Sequence, residues 1–223
     1  AALTMAEYLW GVLPAAMPVS FSLEALKVQA VAARTYTVAK MGHTVQAHPD
    51  AQVCTDITCC QAYITRQAAL ENWGDRGEAY AEKITQAVAG TDGMILTYQG
   101  DPIQAVFFSS AAGKTVDAVE VWGSDVPYLS SVDSPEGEEV PNYHSTVELS
   151  RSEFQQTLLA EYPSMSLSGD PSGWVGEVTQ NSAGGVASMT IGGVAVSGTA
   201  LRALFNLRST TFTLTLSADQ AVF

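Results

Sequence analysis

No stretch of the 223 residues stays apolar for the roughly 18 positions that a membrane-spanning helix needs. Basic residues are also scarce: 10 Lys and Arg stand against 23 Asp and Glu, a formal charge of −13. Such a surface repels a polyanion, and no local basic patch compensates, so nucleic-acid binding is disfavoured. Any anionic ligand has to be held by a few individually placed cations. Charged residues make up only 15% and apolar ones 47%, which argues against disorder. Cysteine is nearly absent. The three present, Cys54, Cys59 and Cys60, fall within seven residues. An odd number cannot all pair and adjacent cysteines make a poor disulfide, so the cluster points to metal binding rather than covalent stapling. No leader precedes the patterned opening Leu3–Met5–Leu9–Trp10, which reads as the start of a trimmed or mature domain with its anchor outside this sequence. No repeat, no Ser-His-Asp order and no carboxylate pair stands out.

What is present is helical patterning first and strand patterning later. Residues 4–13 read as a short helix closed by Pro14. Ser22 is placed to cap a long helix over 23–40, with Glu24 in its first turn and Leu26, Ala30 and Ala33 on its buried face. Residues 67–88 continue as helix with a break between Trp73 and Gly77. Strands are expected at 94–98 and 103–108 around the turn 99–102, then a small-residue loop at 109–115 and a solvated acidic loop at 133–139. A helix over 152–162 follows, then strands at 174–180 and 186–191, a short helix at 201–205 capped by Thr199, and a last strand at 211–216. The expectation is an α+β fold, its helix-rich N-terminal portion packed with a β-rich portion. Residues 1–223 form one domain, divisible into lobes 1–135 and 136–223 that enclose a substrate cleft.

Lys27 and Arg34 are seven residues apart, so a helix brings both out on one face about 10 Å apart. That pair can grip sugar carboxylates or acyl oxygens; alternatively both are ordinary surface cations, with Lys27 paired to Glu24 at i, i+3. His48, Cys54 and Cys60 form a His-x5-Cys-x5-Cys pattern of zinc-preferring ligands that leaves a fourth position open, and His43 can compete with His48. Buried reduced cysteines that merely pack are the plainer reading. The loop around Ser109, Ser110, Gly113 and Lys114 offers hydroxyls and backbone N–H groups to a sugar or anion, or is simply a tight turn. It lacks P-loop spacing. Trp122 and Tyr128 read as a sugar-stacking wall or as core aromatics, and His144 as an ordinary surface histidine.

Several segments together resemble the stage II sporulation protein D family, which includes amidase-enhancer proteins. They are Tyr8-Leu9-Trp10-Gly11-Val12-Leu13-Pro14, Met17-Pro18, and the run from Leu23-Glu24-Ala25-Leu26-Lys27 to Ala33-Arg34-Thr35-Tyr36. Val53-Cys54-Thr55-Asp56, Cys60-Gln61-Ala62-Tyr63, Phe107-Phe108-Ser109-Ser110, Gly113-Lys114-Thr115 and Val121-Trp122-Gly123 with Pro127-Tyr128-Leu129 add to it. The likeness is strong over residues 5–135 and weak beyond.

The resemblance implies an extracytoplasmic, membrane-anchored lytic transglycosylase acting on peptidoglycan glycan strands without stem peptides. One glutamate would protonate the glycosidic oxygen and then draw the proton from the muramic acid 6-hydroxyl, closing a 1,6-anhydro ring without water. The family's glutamate directly precedes Met-Pro, where this chain has Ala16. Ala16 then marks an engineered inactive variant, the simplest explanation, or a naturally inactive binding or activating protein; Glu24 as a substitute is the third, although eight residues on in a helix it reads as the helix-start acid of the motif. The resemblance also implies supporting roles for Lys27, Arg34 and Gln29, and a structural or site-shaping zinc on His48, Cys54 and Cys60. Cys59, where many relatives have histidine, would lie near the metal without binding it. A non-catalytic wall-binding partner that recruits or stimulates an amidase is the alternative. A zinc hydrolase is a third reading.

Overall fold

The computed structural model describes residues 2–41, 48–137 and 139–223. His43 lies outside them. The fold is α+β, in two compact units, Ala1–Phe107 and Phe108–Phe223.

The first unit is built on four helices. Helix α1 (Met5–Ala16) opens with a capping box: the Thr4 hydroxyl accepts from Glu7 N–H, and the Glu7 carboxylate accepts from Thr4 N–H at 2.7 Å. Leu9, Val12 and Leu13 form its buried face. Pro14 lies inside α1 and does not close it. A proline this near the end removes only the bond its N–H would have made to the Trp10 carbonyl. The stop comes from Pro18, which holds Met17 in extended backbone (φ −142°, ψ 138°). Helix α2 (Leu23–Met41) is capped by Ser22, whose hydroxyl accepts from Ala25 N–H at 3.2 Å. Leu26, Ala30 and Ala33 are fully buried in a core shared with α1 and α4 (Gly77–Ala89). Helix α3 (Arg66–Trp73) joins α4 through one tight turn, Gly74–Arg76, where the helical break was expected.

The unit closes with a small hairpin, β1 (Thr97–Tyr98) and β2 (Asp101–Pro102), around Gln99 and Gly100, both at positive φ. Asp101 and Pro102, read from sequence as turn, are the second strand, and the expected strand at 103–108 does not form. Met94 and Leu96 stay about half exposed, at 54% and 45%, so the pair has no apolar face to bury and stays short.

The second unit begins with β3 (Gly113–Lys114), helix α5 (Ala118–Trp122) and β4 (Asp133–Ser134), which pairs antiparallel with β3. Part of the expected acidic loop is therefore strand. β5 (Glu148–Ser150) leads into α6 (Arg151–Glu161), which carries a second capping box between Ser150 and Glu153. β6 (Val175–Gln180), β7 (Val186–Ile191) and β8 (Val194–Ser197) form an antiparallel meander. Gly192 and Gly193 make the second turn of that meander, both at positive φ, which glycine adopts without strain. Helix α7 (Gly198–Leu204) is capped by Ser197 rather than Thr199. β9 (Thr215–Leu216) and β10 (Gln220–Val222) complete a sheet ordered β5-β10-β9. Phe154, Leu158, Ile191, Leu201 and Phe223 centre the core between these sheets and helices.

Candidate functional site

Ala16 is the exposed last residue of α1. The linker after it is turned by Phe21 N–H donating to the Pro18 carbonyl at 3.1 Å. Lys83 of α4 donates to the carbonyls of Val19, at 2.9 Å, and Phe21. Nothing in the sequence separates Lys83 from any surface lysine, because its partners lie more than sixty residues away.

The two α2 cations do not stand together on an open face. Lys27 pairs with Glu24 at 2.7 Å, as the plainer reading had it, and Glu24 is thereby engaged. The Lys27 stem lies over Gly90, where an added Cβ would meet its Cε at 3.3 Å. Arg34 is buried, 3% exposed. Its guanidinium donates to the Val88 carbonyl at 3.2 Å, the Met94 carbonyl at 3.2 Å and the Thr91 hydroxyl at 3.4 Å. It thus caps the negative end of α4. Burial lowers the Arg34 pKa from its ordinary value, and the Asp92 carboxylate opposes that. Gln29 is also buried, with no partner for its Nε2.

The cysteine segment folds back on itself. The Asp56 carboxylate accepts from Thr58 N–H at 2.8 Å and from the Thr58 hydroxyl at 2.7 Å, which holds its pKa below the usual range. The Asp56 carbonyl accepts from Cys59 and Cys60 N–H. This turn returns both cysteines to Cys54, and ligand atoms of His48, Cys54, Cys59 and Cys60 all lie within 4.8 Å of one another. Cys59, expected to stand aside, is brought in with the other three. His48 Nδ1 is 2.9 Å from the Ala51 carbonyl, which can only accept, so Nδ1 carries the proton. Nε2 is left as the lone-pair donor, 3.3 Å from Cys60 Sγ. Asp56 N–H donating to Cys54 sulfur lowers that thiol's pKa, whereas burial, with the neighbouring thiols, pushes Cys59 up to about 11. Gln61 Nε2 donates to Thr37 at 3.0 Å and ties the segment to α2. Soft donors clustered this closely are equipped to hold a metal ion.

Beside them Tyr8 stacks on Tyr63, with centroids 6.0 Å apart, over Gly11. A Cβ at Gly11 would come within 2.2 Å of the Tyr63 ring, so only glycine admits that contact. Burial pushes the Tyr8 phenol up to about 12. A groove of about 600 Å³ runs along α1 and α4, lined among others by Trp10, Tyr63, Arg66, Thr85 and Asp92, with the Arg66 guanidinium 5.2 Å over the Trp10 ring.

In the second unit Ser109 and Lys114 are exposed and Ser110 and Gly113 half-buried. The loop's Ala111 N–H is already taken, donating to the Glu136 carboxylate at 2.8 Å, and the Ser134 hydroxyl donates to the same group at 2.7 Å. Trp122 is 57% exposed and so is not a core aromatic. His144 is exposed, edge-on to Tyr143.

The motifs distributed over these elements define a class. Residues 1–98 match the stage II sporulation protein family. It is 38% identical over 208 residues to stage II sporulation protein D of Bacillus subtilis, across 92% of this chain and 59% of that protein. It is 39% identical over 208 residues to stage II sporulation protein D of Bacillus amyloliquefaciens, across 92% of this chain and 58% of that protein. The chain thus spans under two thirds of these relatives' length. An amidase enhancer of B. subtilis is 41% identical over 119 residues, 53% of this chain and 14% of that protein. Among the described residues no helix is long and apolar enough to cross a membrane.

Proposed function

We propose that this chain is a domain that binds peptidoglycan glycan strands, built for lytic transglycosylase chemistry but lacking its proton carrier. The observation that carries the reading is the setting of Ala16: exposed, last in α1, with family sequence on both sides and an adjoining turn pinned by Lys83. A methyl group neither gives nor takes a proton, and losing a general acid/base costs roughly 10²–10⁴ in rate. A carboxyl at this position would face the negative end of α1. The helix dipole, worth about 0.3–1 kcal/mol, would raise its pKa and favour the protonated form that the first step needs. That carboxyl would protonate the leaving glycosidic oxygen and then accept the proton of the sugar 6-hydroxyl as its oxygen bonds to the anomeric carbon. Trp122 offers a stacking face, and Ser109, Ser110, Gly113 and Lys114 offer polar contacts to sugar in the second unit. The test is Ala16→Glu with denuded glycan strands. Mass spectrometry should find 1,6-anhydro ends from the variant and none from the parent; their absence from both defeats the reading.

The likeness to an amidase enhancer favours a second reading, in which the chain stimulates a wall amidase without cutting glycan itself. Parent chain added to an amidase digest should then speed stem-peptide release, and Ala16→Glu should make no difference.

The metal we assign to His48, Cys54, Cys59 and Cys60 is zinc. A tetrahedral zinc with Zn–S near 2.3 Å sets its sulfurs about 3.8 Å apart. Cys59 and Cys60 sulfurs are 3.9 Å apart. Four protein ligands close the site, which suits a structural ion and leaves no position for water, so the zinc-hydrolase reading loses its support. Bound there, zinc would staple the segment 48–60 to itself, next to the Gln61–Thr37 bond that ties it to α2.

A further inference from the structure

We infer that Lys83 is a positioning residue for the reacting position at the end of α1, an inference that rests on the transglycosylase reading above. The linker from Met17 to Ser22 has few means of holding its own shape. Met17 is half-buried and Val19 is 5% exposed, so the first half is packed against the core. Phe21 is 50% exposed, so its side chain has little packing to fix it.

The backbone carbonyls of Val19 and Phe21 converge on one point, which alone is unfavourable because two oxygen dipoles meet head to head. The Lys83 ammonium sits at that point and donates to both. Its charge is not neutralised by a carboxylate, since Lys27 with Glu24 is the only ion pair among the described residues. A cation holding two carbonyls makes stronger bonds than a neutral donor would. Lys83 also grows from α4 beside fully buried Ile84, so the tether is anchored to the rigid bundle. Pro18 ends α1, and the course of the linker beyond it sets what stands beside a group at position 16 and where the Phe21 ring faces a glycan. Lys83 touches neither substrate nor the reacting atoms; it acts through the Pro18–Phe21 turn.

The test uses the full chain carrying Ala16→Glu, with denuded glycan strands. Adding Lys83→Met, which keeps the stem and removes the charge, should lower kcat about tenfold or more, since small misplacements of a reacting group are costly. KM should stay within about twofold, and Lys83→Arg should recover most of the loss. Amide exchange at Val19, Ser20 and Phe21 should quicken in Lys83→Met while Ile84 and Ala87 keep their protection. If Lys83→Met does not melt cooperatively, Lys83→Gln replaces it with the same expectations. An unchanged kcat, a loss appearing only in KM, or no recovery with Lys83→Arg overturns the inference. Should Ala16→Glu alone yield no anhydro ends, the reaction reading fails by itself. Exchange at residues 19–21 then decides the tether, and unchanged exchange sinks it.

Discussion

Arg34→Met keeps most of the side-chain volume and deletes the guanidinium, which makes it the sharpest probe of what that residue does. Three donated bonds are lost, to Val88, Met94 and Thr91, all at 3.2–3.4 Å and so toward the long end of the range. Bonds from a charged donor contribute about 1.5–3 kcal/mol each, and their length argues for the lower figure. The Val88 carbonyl keeps Thr91 as a partner through both its N–H and its hydroxyl. The Met94 carbonyl loses its guanidinium partner, at about 1–3 kcal/mol if no water replaces it. Against this, methionine avoids burying a charge whose Nε has no partner in the fold. The expected net loss is about 2–3 kcal/mol, which in a unit of this size lowers Tm by about 10–20 °C. Urea and thermal unfolding followed by far-ultraviolet circular dichroism read it directly, with glycan affinity measured on the same sample. A loss under about 0.5 kcal/mol accompanied by weakened glycan binding would refute the reasoning and return Arg34 to the role of a sugar-gripping cation.

Cys59→Ser should weaken zinc binding at least about tenfold, measured by elemental analysis and chelator competition; unchanged affinity would make Cys59 a bystander. The capping carboxylates Glu7 and Glu153 have pKa values lowered from 4.5 by their bonds to Thr4 and Ser150. Their contribution is therefore present above the unfolded value and lost as pH falls through the lowered folded one. Glu7→Gln or Glu153→Gln should flatten the acid limb of the stability curve below about pH 4.5, and an unaltered limb in urea titrations would count against it. Gly11→Ala should cost about 1–3 kcal/mol, because its Cβ would also fall 2.7 Å from the Ile64 carbonyl; a change below about 0.5 kcal/mol would contradict the contact.

What was readable in the chain were features whose causes are local. Ser22 as a cap, the buried Leu26-Ala30-Ala33 stripe, the break at Gly74 and the 175–191 hairpin all depend on neighbours a few residues away, and all appear in the structure. Pro14 misled because a proline near a helix end removes a single bond, while the true stop lay in how Pro18 restricts Met17. β5 and β10 escaped notice because they pair across some seventy residues, and their three-residue lengths carry no period. Charge patterning on α2 located Arg34 but not its direction, since its acceptors come from residues 88–94. Cys59 looked like a spare thiol until the Asp56 turn set it beside Cys54. In the 109–115 loop the residue types were legible. That a carboxylate from position 136 already occupies one N–H was not.

For the sugar binding proposed at this loop, that last arrangement would set a threshold. Glu136 is a permanent rival for the Ala111 N–H, tethered through the paired strands β3 and β4 at an effective concentration on the order of millimolar. A lone sugar carbonyl or carboxylate arriving from solution must displace it and so gains little from that donor. A polymer already held elsewhere competes on equal terms, because its own tethering raises its local concentration in the same way. Under the glycan-binding reading proposed above, such a loop would answer to long strands and ignore fragments.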